Sequence, residues 1–103
     1  MKSLDVLRLD FAAGNIDVTT HALHRIVERN ISKEEIMEAG ESAIEIEDYP
    51  TDKYYPSCLL LGFTEHTRPL HLHVSRMESE GVRLITIYEP NERDWVDGFT
   101  KRR

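Results

Sequence analysis

The apolar residues of this chain change period part-way along, and that switch limits the fold more than any other feature. Up to about residue 39 they recur every three or four positions: Leu4, Leu7 and Phe11, then Leu23, Ile26 and Val27. That spacing lines side chains along one face of a helix. From Ala43 onward the pattern alternates or runs continuously apolar, in Ala43–Asp48, Ser57–Phe63, Arg68–Val74 and Val82–Tyr88. Alternation sends successive side chains to opposite faces of a strand. Helices followed by strands imply an α+β domain. The expectation is two to three N-terminal helices packed on a four-stranded antiparallel sheet.

Local signals divide the two halves. Gly14-Asn15 stops a helix over 3–13, and Thr19 or Thr20 can cap one over 20–30, with Leu23, Ile26 and Val27 as its core stripe. Ser32-Lys33-Glu34-Glu35 has the form of a capping box. A short helix follows to about Ala39, stopped by Gly40. Ile16-Asp17-Val18 is too short to assign. Among the strands, Ile44 and Ile46 should point inward, and Ser57–Phe63, apolar on both faces, should be central. Turn chemistry at 49–52, 65–69 and 78–81 separates the strands. Trp95 and Phe99 should pack a short helical or irregular tail onto the body.

Composition narrows the function. A chain of 103 residues, 40% hydrophobic, makes one domain with a small core. A net charge of −6 argues against broad, nonspecific binding along a nucleic-acid backbone. It leaves room for a local basic groove, because the field depends on where the charges sit. Cys58 is the sole cysteine and lies in an apolar run, so an inert buried thiol and a reducing cytoplasm are expected. The first twenty residues carry charges and no apolar stretch of signal-peptide type. The longest apolar run, Cys58–Phe63, is too short to span a bilayer.

Two basic clusters are the candidate chemistry. In Arg68-Pro69-Leu70-His71-Leu72-His73-Val74, the leucines and valine should face the core. His71 and His73 should then share the opposite, open face. Imidazoles titrate near neutral pH and can act as acid, base or ligand. His21-x-x-x-Arg25-x-x-x-Arg29 lies upstream at helical spacing. Cleavage of an RNA phosphodiester needs a base, an acid and a cation on the developing phosphorane charge. His71 could be the acid or base, with Arg25 or Arg68 clamping the phosphate. Tyr88 could polarise that phosphate or pack at the sheet edge. The plain alternatives are two histidines on a solvated strand and an arginine face paired with Glu28 and Glu34. A metal held by His71, His73 and a third ligand, His21 or Glu47, is a further reading. Tyr49, Tyr54 and Tyr55, with Pro50 and Pro56, could stack on unpaired bases or simply cover a sheet edge.

A family resemblance rests on residues along nearly the whole chain, roughly 5–102. These are Thr20-His21-Ala22-Leu23-His24-Arg25-x-x-Glu28-Arg29-x-Ile31-Ser32, Glu47-Asp48-Tyr49-Pro50, Tyr55-Pro56-Ser57 and Leu59-Leu60-Leu61-Gly62. Arg68-Pro69-Leu70-His71 and Ile85-Thr86-Ile87-Tyr88-Glu89-Pro90, with Trp95 downstream, complete the set. Together they resemble the bacterial and archaeal "domain of unknown function 4258" family. That family looks distantly similar to RelE/ParE toxins and barnase-type ribonucleases. The resemblance implies a RelE-like fold and a small toxin acting as a metal-independent endoribonuclease, with an RNA substrate, an antitoxin partner and no cofactor. Catalytic candidates are then His21, Arg25, Arg68, His71 and Tyr88, with Arg29 and His73 as substrate-binding residues. His73 is an addition to the family motif, which supplies only His71. The acidic charge departs from the usual basic toxins. The alternatives are a non-catalytic module that binds a protein or a second copy of itself, and a small metal-binding domain.

Overall fold

Each helix begins where a hydroxyl side chain accepts a hydrogen bond from an otherwise unpaired backbone amide. In the computed structural model, which describes residues 1–52 and 55–103, these helices are α1 (Leu4–Ala12), α2 (Thr20–Glu28) and α3 (Lys33–Glu41). Ser3 accepts from Val6 N–H, Thr19 from Ala22 N–H, and Ser32 from Glu35 N–H. Glu35 also accepts from Ser32 N–H, which completes the capping box. The third helix runs past Gly40 rather than stopping there. That glycine has a packing role instead: a Cβ on it would lie 2.1 Å from Cγ of Phe11. Its missing side chain lets α1 and α3 pack closely.

The sheet has five strands and is mixed, not four-stranded and antiparallel. The strands are β1 (Ile16–Val18), β2 (Ile44–Tyr49), β3 (Ser57–Phe63), β4 (Pro69–Ser75) and β5 (Val82–Tyr88), in spatial order β1-β5-β4-β3-β2. The extra strand is the short segment between α1 and α2. It runs parallel to β5, with Ile16 opposite Val82 and Val18 opposite Leu84. Three residues show no period of their own, so only their docking on β5 defines them. A separate two-stranded ribbon, β6 (Trp95–Val96) and β7 (Lys101–Arg102), replaces the expected short helical or irregular tail.

The core lies between the helices and one sheet face. Leu70, Leu72 and Val74 point into it with Leu60, Leu84, Ile87, Leu7 and Phe11, all essentially fully buried. Gly62 sets the distance between layers, since a Cβ there would come within 1.9 Å of the Ala39 carbonyl oxygen. Two apolar assignments differ from the periodic reading. Leu23 and Val27 are 49% and 73% exposed, and the buried residue of α2 is Ala22. This helix rides on β5 near the end of the sheet, so only a narrow strip is covered. Ile44 is 47% exposed because β2 is an edge strand, irregular between Glu45 and Glu47.

A second irregularity matters more for the site. In the β4–β5 ladder His73 faces Thr86, but the next residue, Val74, faces Leu84. Ile85 is the extra residue of a β-bulge. The bulge lets Leu84 and Ile87 both enter the core while Thr86 and Tyr88 share the far face with His73 and His71. The Thr19 hydroxyl donates to the Ile85 carbonyl at 2.7 Å, and Thr19 N–H donates to the Leu84 carbonyl at 3.1 Å. The cap of α2 is therefore anchored on the bulge.

Candidate functional site

The far face of the sheet is not the open polar surface that alternation implies. The C-terminal ribbon folds across it. Trp95, 5% exposed, packs edge-on against His71 with ring centroids 4.3 Å apart. His71 is fully buried. One ring nitrogen, Nε2, lies 2.8 Å from the Phe99 carbonyl, and Nδ1 lies 3.0 Å from the Tyr88 hydroxyl. A carbonyl can only accept, so Nε2 carries the proton and Nδ1 accepts from Tyr88 O–H. Burial pushes the His71 pKa down, partly offset by the bond to the Phe99 carbonyl and by the Glu47 charge. Burial likewise pushes the Tyr88 hydroxyl up. The neutral pair is thus locked in one tautomeric arrangement.

His73 stands two residues on and is only partly covered. Its Nε2 lies 2.9 Å from Ser57 Oγ, while Ser57 donates its single hydroxyl proton to Asp52 at 3.1 Å. His73 must therefore be the donor through Nε2–H, which leaves a lone pair on Nδ1. Desolvation lowers its pKa too, against the opposing charge of Asp52. The metal reading would need ligand nitrogens from both histidines, yet both ring nitrogens of His71 are hydrogen-bonded within the protein. Among the described residues no cluster of three His, Cys, Asp or Glu has an arrangement that could hold a metal ion.

The helical cluster faces a groove of roughly 720 Å³. His21, Arg25 and Arg29 form one bank, Thr86 and Tyr88 lie along it, and the C-terminal segment supplies Arg93, Arg102 and Arg103. Five arginines against the carboxylates of Glu89 and Asp94 make this a cationic region in an acidic chain. Arg25 meets Glu28 at 3.6 Å. Arg29 and Arg93 have no side-chain hydrogen bond or ion pair among the described residues. Arg102 is held by Glu47 through two bonds, at 2.8 and 3.1 Å, and lies 4.7 Å from the centre of the Trp95 ring. Tyr49 donates a further short bond to Glu47. The bonds from Arg102 and Tyr49 outweigh desolvation and keep the Glu47 carboxyl below its usual range.

The groove thus brings His21, Arg25 and Arg29 together with Tyr88, and through Tyr88 to the buried His71. His73 borders a smaller pocket next to it. Arg68 is elsewhere and fully engaged. It binds Glu89 at 2.6 Å and Glu35 at 3.1 Å, and it donates to the carbonyls of Arg29 and Asn30. Those carbonyls follow the end of α2, so this guanidinium ties α2, α3 and β5 together. Of the loop tyrosines, Tyr49 lies on the far face and Tyr54 lies outside the described residues. The Cys58 thiol is buried, and desolvation first, then Glu45, pushes its pKa up to about 12. The sequence reading missed Arg93, Arg102, Arg103 and Trp95 as neighbours of the groove. The basic run Lys101-Arg102-Arg103 was a signal for two of the arginines, and the expected packing of Trp95 on the body was a signal for the tryptophan.

A comparison with protein families matches residues 18–89 to the model described as "Domain of unknown function (DUF4258)". The chain belongs to the DUF4258 family. The matched span runs from β1 to the residue after β5, so it takes in α2, the bulge and both histidines of β4. Arg93, Trp95, Arg102 and Arg103, which complete the groove, lie beyond the span of the DUF4258 match. No match was found among curated proteins or among solved structures. None of the helices among the described residues is long and apolar enough to cross a membrane.

Proposed function

We propose that this DUF4258 protein is a small RelE-like toxin that binds single-stranded RNA in the arginine groove and cleaves it without a metal. The observation that carries this reading is the convergence of His21, Arg25 and Arg29 with Arg93, Arg102 and Tyr88 around one groove. Guanidinium groups match phosphate oxygens in charge and geometry. An exposed imidazole beside them supplies the proton acceptor such chemistry needs. In the proposed step His21 takes the proton of a ribose 2′-hydroxyl, and the 2′-oxygen attacks the adjacent phosphorus. The bond from phosphorus to the 5′-oxygen breaks, and that oxygen leaves with a proton from water. The products are a 2′,3′-cyclic phosphate and a 5′-hydroxyl end. Arg25 and Arg29 stabilise the phosphorane charge. Tyr88 lines the groove beside the phosphate, its hydroxyl fixed by the proton it gives to Nδ1 of His71. Arg68 keeps a supporting role.

The deciding experiment is cleavage of a labelled RNA in EDTA by the purified protein, beside His21→Ala and Arg25→Ala variants. Cleavage with cyclic-phosphate ends, lost in both variants, supports the reading. Absence of cleavage and of RNA binding by folded protein overturns it. A second reading, a protein-binding module that takes an antitoxin or a second copy, draws on Leu23 and Val27. These two lie one turn apart and exposed on α2. A stable dimer in solution that is lost on Val27→Glu would favour it.

A further inference from the structure

Beside the arginine groove lies a second recess, of roughly 320 Å³, on the same sheet face. Thr86, Tyr88 and Arg102 line both, so the two are neighbours across a shared wall. The recess differs in chemistry. Its sides are the aromatic rings of Tyr49, His73 and Tyr88, and Leu59 lies among them, 3% exposed. Tyr49 and His73 meet edge to face with centroids 5.5 Å apart. An aromatic recess beside a cationic groove is the layout that takes a base on one side and its phosphate on the other.

We infer that this recess is a nucleobase subsite selecting a base with an exocyclic amino group. The inference rests on the RNA-binding reading of the groove. Polarity gives the selectivity. The bond of Ser57 to Asp52 makes His73 a donor through Nε2, so its Nδ1 remains an acceptor. That atom has no hydrogen-bond partner among the described residues. The charged groups on the rim are the Asp52 carboxylate, which accepts from Ser57, and the Arg102 guanidinium. Arg102 has turned Nε and Nη2 towards Glu47. The Nδ1 acceptor of His73 fits the amino groups of adenine, cytosine or guanine. Uracil offers carbonyl oxygens flanking its one N–H, and these meet that acceptor unfavourably. The Thr86 hydroxyl at the shared wall can donate or accept, so it adds contact without choosing.

The test uses short 2′-O-methyl oligonucleotides, which cannot be cleaved, with fluorescence anisotropy as the readout. Oligo(A) and oligo(C) should bind several-fold more tightly than oligo(U). His73→Phe keeps a ring and removes both nitrogens, and it should abolish the difference. His73→Leu, which also lacks an acceptor, serves if the phenylalanine variant does not fold. Tyr49→Ala should weaken every oligonucleotide. Equal affinities for all bases, unchanged by Tyr49→Ala, overturn the subsite and leave the groove intact. Failure of every oligonucleotide to bind, by folded protein at low salt, overturns the groove reading and the subsite with it.

Discussion

The hydroxyl of Tyr88 donates to Nδ1 of His71 across the β4–β5 ladder, at 3.0 Å, while Nε2 of the same ring is taken by the Phe99 carbonyl. The pair lies between the groove and the covered sheet face. Tyr88→Phe removes the donor to a fully buried acceptor. A buried polar atom left without its bond costs about 1–3 kcal/mol. Urea unfolding should show a loss in that range, with the overall fold retained by circular dichroism.

Arg68 yields a test that separates support from chemistry. Its guanidinium binds two carboxylates and two backbone carbonyls, and the bond to Glu89 first, then Glu35, raises its pKa against desolvation. The side chain is 25% exposed, so solvent screens part of the ion-pair energy. Arg68→Ala should destabilise by about 1–2 kcal/mol. RNA affinity per folded molecule should remain near that of the parent, whereas Arg25→Ala should lower it sharply. Equal losses of affinity in the two variants would return Arg68 to the binding surface.

Phosphate contacts have a signature in salt. Each one releases counterions, and removing one from a single-stranded complex should flatten the dependence of log affinity on log salt by about 0.7. Arg29→Ala, Arg93→Ala and their double variant can be titrated against one oligonucleotide at several salt concentrations. Stepwise flattening is the expected outcome. An unchanged slope would mean that neither guanidinium meets a phosphate.

Gly62 should not tolerate a methyl group. The new carbon would collide with the backbone of α3, at Ala39, not with a side chain that can rotate away. Overpacking usually costs about 1–3 kcal/mol and more where backbone must move. Gly62→Ala should therefore lower the melting temperature strongly or prevent folding.

Burial sets the pH dependence of stability. His71 and His73 both have folded-state pKa values below the ordinary 6.5. As pH falls through 6.5 the unfolded chain gains these protons before the folded one does. Stability from these two groups is therefore complete above that value and declines as pH drops towards their folded pKa values. Glu35, held low first by its bond from Ser32 N–H, and Glu47, held low first by Arg102, add a second loss that begins only below the ordinary 4.5. Urea midpoints measured from pH 8 to 5 should fall in the acidic half of that range. His73→Gln should reduce the drop.

The sequence by itself determined the three helices, the core-facing side of β4 and the pairing of apolar strands, because these follow from period and from local caps. Ser3, Thr19 and Ser32 each bond amides a few residues away, so their roles are visible in one dimension. Tertiary structure decided the rest. Ile16–Val18 became a strand only by lying against β5, and Leu23 and Val27 stayed exposed because the sheet is too narrow beneath α2. The bulge at Ile85 redirected Thr86 and Tyr88, and no single-strand pattern records a bulge. Alternation placed His71 on the far face correctly. Its burial came from Trp95 and Phe99, more than twenty residues downstream. Arg102 reached the groove by the same ribbon. Local periodicity fixes which way a side chain points from its own element, and only the packing of distant segments fixes what it meets there.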